Sequence, residues 1–175
     1  RMLKCEPSRI MRAVPCRPHR SPSVETRTID GQAIAREFRE RLMRRVSALA
    51  ANGPGPGLAV VQVGNHPASK LYVRNKIRAC SEVGLRSEHI ELPDNAGEPA
   101  LLERIRKLNI DKRIDGILVQ LPLPPGFSVD RVQEAIAPEK DVDGFHPVNA
   151  GLLLAGTPAH VPGTPLGVLA LLDEY

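Results

Sequence analysis

The chain has 175 residues, of which 42% are hydrophobic and only 3% aromatic, with no Trp. That length suits one domain of ordinary size and not two full α/β domains. The core must be aliphatic, and no apolar run nears the roughly 20 residues of a membrane span.

The net charge of +4 is local. Residues 1–27 carry seven Lys or Arg against Glu6 and Glu25, a balance of +5, so residues 28–175 sum to −1. A near-neutral body argues against a nucleic-acid binder, which needs a basic face for phosphate. Cys5, Cys16 and Cys80 lack metal-ligand spacing and cannot all pair. A reducing compartment fits them better than a disulfide or zinc scaffold.

Residues 1–27 hold Pro7, Pro15, Pro18 and Pro22 and no hydrophobic period, so they read as a disordered basic leader. The prolines interrupt the amphipathic helix of a transit peptide, and no apolar core marks a signal peptide. Arg1 at the first position suggests a fragment.

Structure is expected from about Thr28. Asp30-Gly31 precedes Ile34, Phe38, Leu42 and Leu49, spaced for one face of a helix that ends near Asn52-Gly53. Leu58-Ala-Val-Val-Gln-Val63, closed by Gly64, reads as a buried parallel strand. Residues 68–83 read as a helix, with Gly84 as its left-handed stop. A strand over 87–92 and a helix over 99–108 follow. Residues 114–121 read as a second strongly buried strand, and 129–137 as a short helix. Residues 140–151 read as a loop dense in charge. Thr164-Pro165 is the expected cap and first turn of a helix running to Leu172. The alternation predicts an α/β fold: a three-layer parallel sheet with helices on both faces, in one domain over residues 28–175. Ligands of such sheets bind beyond the carboxyl ends of the strands, which singles out the loops after Val63 and Leu121.

Three constellations carry candidate chemistry. Tyr72 and Lys76 sit at i and i+4 on one helix, so a phenol and an amine share a face. An amine serves as a base once a dry setting or a neighbouring cation strips its proton; otherwise it is a solvated surface group. Gln120 ends an apolar strand, where its amide must find partners or face a pocket. In Lys140-Asp-Val-Asp-Gly144, Asp141 and Asp143 are spaced to reach one ligand edge, to bind a cation, or simply to cap a turn. His19, His66, His89, His146 and His160 show no metal-binding spacing, and Cys80 reads as packing. No phosphate-cradling glycine motif is present.

Gly64-Asn-His-Pro-Ala-Ser-Lys-Leu-Tyr-Val-Arg-Asn-Lys76, Asp115-Gly-Ile-Leu-Val-Gln-Leu-Pro-Leu-Pro124 and Pro138-Glu-Lys-Asp-Val-Asp-Gly-Phe-His-Pro-Val-Asn149 follow in order. Together they resemble the bifunctional methylenetetrahydrofolate dehydrogenase/methenyltetrahydrofolate cyclohydrolase family, from about Ile29 to Tyr175. The resemblance implies oxidation of a methylene bridge on tetrahydrofolate and hydrolysis of the resulting methenyl cation to the 10-formyl product. It implies Lys76 as the catalytic lysine, Tyr72 as its neighbour in the folate cleft and Gln120 as the partner that tunes the amine. Asp143 would grip the amino-pyrimidine edge of the pterin, with Ser69, Val119 and Leu121 lining the site.

The family's NADP lies in a second, Rossmann-like half, absent from this sequence, so NADP binding by this chain alone is not expected. Tetrahydrofolate derivatives are the implied partners, with no nucleic acid or membrane. A cytoplasmic homodimer is implied for the full-length enzyme, with dimer contacts largely in the missing half. An exposed apolar patch is expected where that half would pack. Gly163 stands where the family usually has Cys. Two other readings remain: a folate-binding piece without turnover, and a short-chain dehydrogenase, which shares Tyr-x-x-x-Lys but needs a glycine-rich turn after its first strand.

Overall fold

The run around Leu58 is the central strand of the molecule. The computed structural model describes residues 28–174, so the leader expected over residues 1–27 lies outside the described residues, as does Tyr175. Strand β1 (Gly57–Val63) is flanked by β2 (Arg86–Leu92) and β3 (Gly116–Val119) in the order β2-β1-β3. Both pairings are parallel, with Leu58 opposite Ser87 on one side and Gly116 on the other. Every strand therefore ends at the same sheet edge.

Side chains alternate across this sheet, and each face buries its own cluster. Ala59, Val61 and Val63 pack with Ile117 and Val119. Leu101, Ile105 and Leu108 of helix α3 (Glu98–Ile110) and Val132 of α4 (Val129–Ala135) cover them. On the opposite face, Val60 and Leu118 meet Val73 of α2 (Pro67–Glu82). The expected three layers are thus present. Gln62 is the polar exception inside β1; its Nε2 donates to the Gly64 carbonyl at 2.8 Å and secures the turn into α2.

Helix α1 (Gly31–Ala50) starts where Asp30 predicts: Asp30 Oδ1 accepts from the Gln32 and Ala33 amides, each at 3.0 Å. Its apolar face is only partly covered. Ile34 and Val46 are buried, whereas Phe38, Leu42 and Leu49 are exposed. Helix α6 (Gly163–Asp173) leaves Leu166, Val168, Leu169 and Leu172 exposed as well. Helices α1 and α6 thus leave apolar surface exposed.

Several boundaries shift by one or two residues, and three departures bear on how the elements are read. The strand read over 114–121 is shorter, because Asp115 turns its Oδ2 to the Gly57 amide at 2.8 Å and Ile114 precedes the ladder. The loop read over 140–151 gives way to helix α5 (Pro147–Leu154): Pro147 takes the first helical position, and His146 Nδ1 accepts from the Val148 amide at 3.1 Å. Thr164 is not the cap of α6, which starts at Gly163 with Pro162, two residues before Thr164, at the cap position. Gly84 has the left-handed φ expected of it, +74°.

The segment after α4 returns to the edge of β3, where Ile117 and Asp141 form a parallel bridge. Gly116 permits this approach, because a Cβ there would overlap Val142 Cγ1 and press on Leu58 Cδ1. Gly116→Ala is expected to cost about 1–3 kcal/mol in urea unfolding through overpacking. Adding Val142→Ala should recover most of that loss. Full stability in the single variant would show that the contact is not tight.

Candidate active site

The carboxyl edge of the sheet brings Lys76, Gln120 and Asp143 to one end of the molecule. Gln120 follows the last residue of β3, and its backbone amide still donates to the Val61 carbonyl at 2.8 Å. Its position is therefore fixed by the sheet. Its Nε2 donates to the Leu121 carbonyl at 2.6 Å, which leaves Oε1 to accept from Lys76 Nζ at 3.2 Å. Lys76 reaches this oxygen from α2, across the face that carries Val73 and Leu118. The amine is half-buried, held by a neutral acceptor.

Tyr72 lies one turn before Lys76 on α2 and is 63% exposed. Its ring offers an open face rather than a packed one. Ser69, on the first turn of α2, is buried, and its Oγ has no hydrogen-bond partner among the described residues. A buried hydroxyl without a partner is uncommon and costly. Cys80, on the same helix, is buried, and burial pushes its thiol up from the ordinary range. It packs rather than reacts.

Asp141 and Asp143 do not act as a matched pair. Asp141 is 3% exposed and turned inward. Its Oδ1 accepts from the Gly144 amide at 3.1 Å; its Oδ2 accepts from the His146 amide at 2.8 Å and from Asn149 Nδ2 at 3.0 Å. Of the three alternatives open for this pair, Asp141 takes the turn-capping one: its oxygens are spent on the loop. Gly144 completes the bend with φ +68°, and a Cβ there would come within 3.1 Å of Pro162 N. Lys140 anchors the other side, its Nζ donating to the Leu108 and Asp111 carbonyls at the end of α3.

Asp143 is only partly buried. Burial raises its pKa, the Lys76 ammonium opposes that shift, and Asp141 adds to it. Asp143 shares a recess of about 20 Å³ with Val119, Leu121 and Phe145. That space is of the order needed for one water. Val119 points to the sheet face opposite Gln120, packing with Val61 and Ile117. It reaches the Asp143 recess, not the Lys76 side.

Asn149 was not foreseen. It is the one polar side chain in Pro-Val-Asn-Ala-Gly-Leu-Leu-Leu of α5, and it is 1% exposed. A lone amide in an otherwise apolar helix needs buried partners, and that was the available signal.

Residues 29–143 match the family model described as tetrahydrofolate dehydrogenase/cyclohydrolase, catalytic domain. The chain belongs to this family. The bifunctional protein FolD of Bordetella petrii is 57% identical over 147 residues, covering 84% of this chain and 50% of that protein. FolD of Burkholderia thailandensis is 53% identical, covering 84% and 52%. The chain spans about half the length of the curated relatives it matches.

Among solved structures, the bifunctional FolD methylenetetrahydrofolate dehydrogenase/cyclohydrolase of Campylobacter jejuni superposes with a TM-score of 0.82 at 43% identity, over 84% of this chain and 52% of that one. The Trypanosoma brucei methylenetetrahydrofolate dehydrogenase-cyclohydrolase, solved with NADP and an inhibitor, gives 0.80 at 37% identity, over 83% and 50%. Membership in the tetrahydrofolate dehydrogenase/cyclohydrolase family removes the short-chain dehydrogenase reading of Tyr72 and Lys76.

Asp143 also sets a sign for stability against pH. Its native pKa is raised, so the folded state binds its proton more tightly than the unfolded state. Its contribution falls as pH rises from the ordinary carboxylate range through the raised native value. Asp143→Asn is therefore expected to raise the melting temperature at pH 7, with the gain shrinking by pH 4. A melting temperature lowered at pH 7 and recovered at pH 4 would reverse the sign.

Proposed function

We propose that residues 28–175 form the tetrahydrofolate-binding catalytic domain of a methylenetetrahydrofolate dehydrogenase/methenyltetrahydrofolate cyclohydrolase. The observation that carries the proposal is the bond from Lys76 Nζ to Gln120 Oε1, at the sheet edge where the Asp143 loop is also anchored. Asp143 accepts hydrogen bonds from the amino-pyrimidine edge of the pterin and fixes the ring position. Tyr72 covers the ring system from its exposed place on α2, and Ser69 and Leu121 line the site on either side.

In the hydrolytic step, water attacks the methenyl carbon. The new C–O bond forms as one water proton passes to the Lys76 amine; one C–N bond of the bridge then breaks, the departing nitrogen takes a proton back from Lys76, and the hydroxyl proton leaves to solvent as the formyl C=O forms on the other nitrogen. The cationic bridge disfavours an ammonium beside it, so the bound substrate itself promotes the neutral amine. Gln120 orients that amine without adding a charge that would hold its proton.

The oxidative step needs a hydride acceptor, a chemistry that NADP would supply when bound. The turn after β1 is Gly64-Asn-His-Pro67, and the turn after β2 begins at Pro93; neither is a glycine-rich phosphate cradle. The described residues do not fit the dinucleotide, and none is assigned to it. On this reading NADP is held by other residues of the full-length enzyme, which works in the cytoplasm as a homodimer.

The test follows the absorbance of methenyltetrahydrofolate. Added protein should speed its decay, and Lys76→Met should slow the catalysed rate by about 100-fold or more while leaving folate binding largely intact. Undiminished hydrolysis by the variant would remove Lys76 from the mechanism. Thermal stabilisation by the folate without any decay would instead support a domain that binds without turnover.

A further inference from the structure

The residues that hold Asp143 in place form a connected set. Asn149 Nδ2 donates both to Asp141 Oδ2, at 3.0 Å, and to the Pro138 carbonyl, at 2.8 Å. One amide thus ties the start of the loop to its middle and joins both to α5. Asp141 gathers the Gly144 and His146 amides, the residues just after Asp143. Asn149 and Asp141 are 1% and 3% exposed, so neither meets a ligand directly.

Two turn-forming amides could be capped by water on an open surface. Here a carboxylate is taken out of water to do it, which is worthwhile only when all its acceptor sites are used and the geometry must be unique. We infer that Asn149 and Asp141 are positioning residues that hold the Asp143 carboxylate toward the folate site, Asn149 by locking the Asp141 turn. The inference rests on the folate reading for its ligand and on this hydrogen-bond set for its geometry. Asn149 acts through Asp143, so its effect on binding should require Asp143.

The experiment is a double-mutant cycle on the full chain, with 5-formyltetrahydrofolate as the probe in calorimetry. Asn149→Ala should weaken binding by about tenfold in the native background and by less than about twofold once Asp143→Ala is present. Equal losses in both backgrounds would overturn the inference and make Asn149 a general structural residue. Asn149→Ser, which keeps one donor, replaces the alanine variant if that variant fails to fold, with a smaller loss expected in the same pattern.

A second measurement needs no ligand. Carboxyl NMR should show Asp143 titrating above the ordinary carboxylate range in the native protein, and closer to that range in the Asn149 variant as the turn loosens and water enters. An unchanged Asp143 titration in that variant would overturn the inference. A native chain that does not bind the probe would sink the folate reading alone, while the carboxyl titration still decides the role of Asn149.

Discussion

Gln120 joins the two parts of the structure that the proposed chemistry needs. Its backbone belongs to the sheet, through the Val61 carbonyl, and its side chain belongs to the site, through Lys76 Nζ. The amide has no freedom to turn away, because its other end is held by the Leu121 carbonyl. A long, flexible lysine is thereby given a fixed direction by the edge of the sheet. Parallel pairing is what makes this work: it sends β1 and β3 out at the same edge, so α2 and the loop after α4 meet there.

The Asp143 side of the site is built on a different principle. Little apolar packing supports it; hydrogen bonds to a buried carboxylate do. Asp141 is held by three donors, Lys140 caps the end of α3, and Gly116 lets the segment lie close to β3. The outcome is an unfavourably placed carboxylate at Asp143, desolvated and next to another acid, with the Lys76 ammonium as the counterweight. A ligand edge that donates hydrogen bonds would relieve this, which is how a site can hold binding energy in advance.

Much of the scaffold was legible. The valine-rich run of β1 and the leucine and isoleucine spacing of α3 are strong periodic signals, and Asp30 is a strong cap. Lys76 with Gln120 was legible through the family resemblance rather than through spacing, since nothing local relates residues 44 positions apart. The failures share a cause. Residues 140–146 are dense in charge and are followed by Pro147, which reads as a loop; that proline is the first residue of α5. Spacing does not tell the two aspartates apart, and the family resemblance singled out Asp143; the fold shows Asp141 buried under the turn and Asp143 only partly buried.

The central claim is that the Lys76–Gln120 pair and the Asp143 loop serve one bound ligand. A crystal structure of the protein with 5-formyltetrahydrofolate tests it most directly. The account places the pyrimidine edge within hydrogen-bond distance of the Asp143 carboxylate and the one-carbon group beside Lys76 Nζ, with the Gln120 contact retained. A folate seated elsewhere on the surface, touching neither side chain, would contradict it.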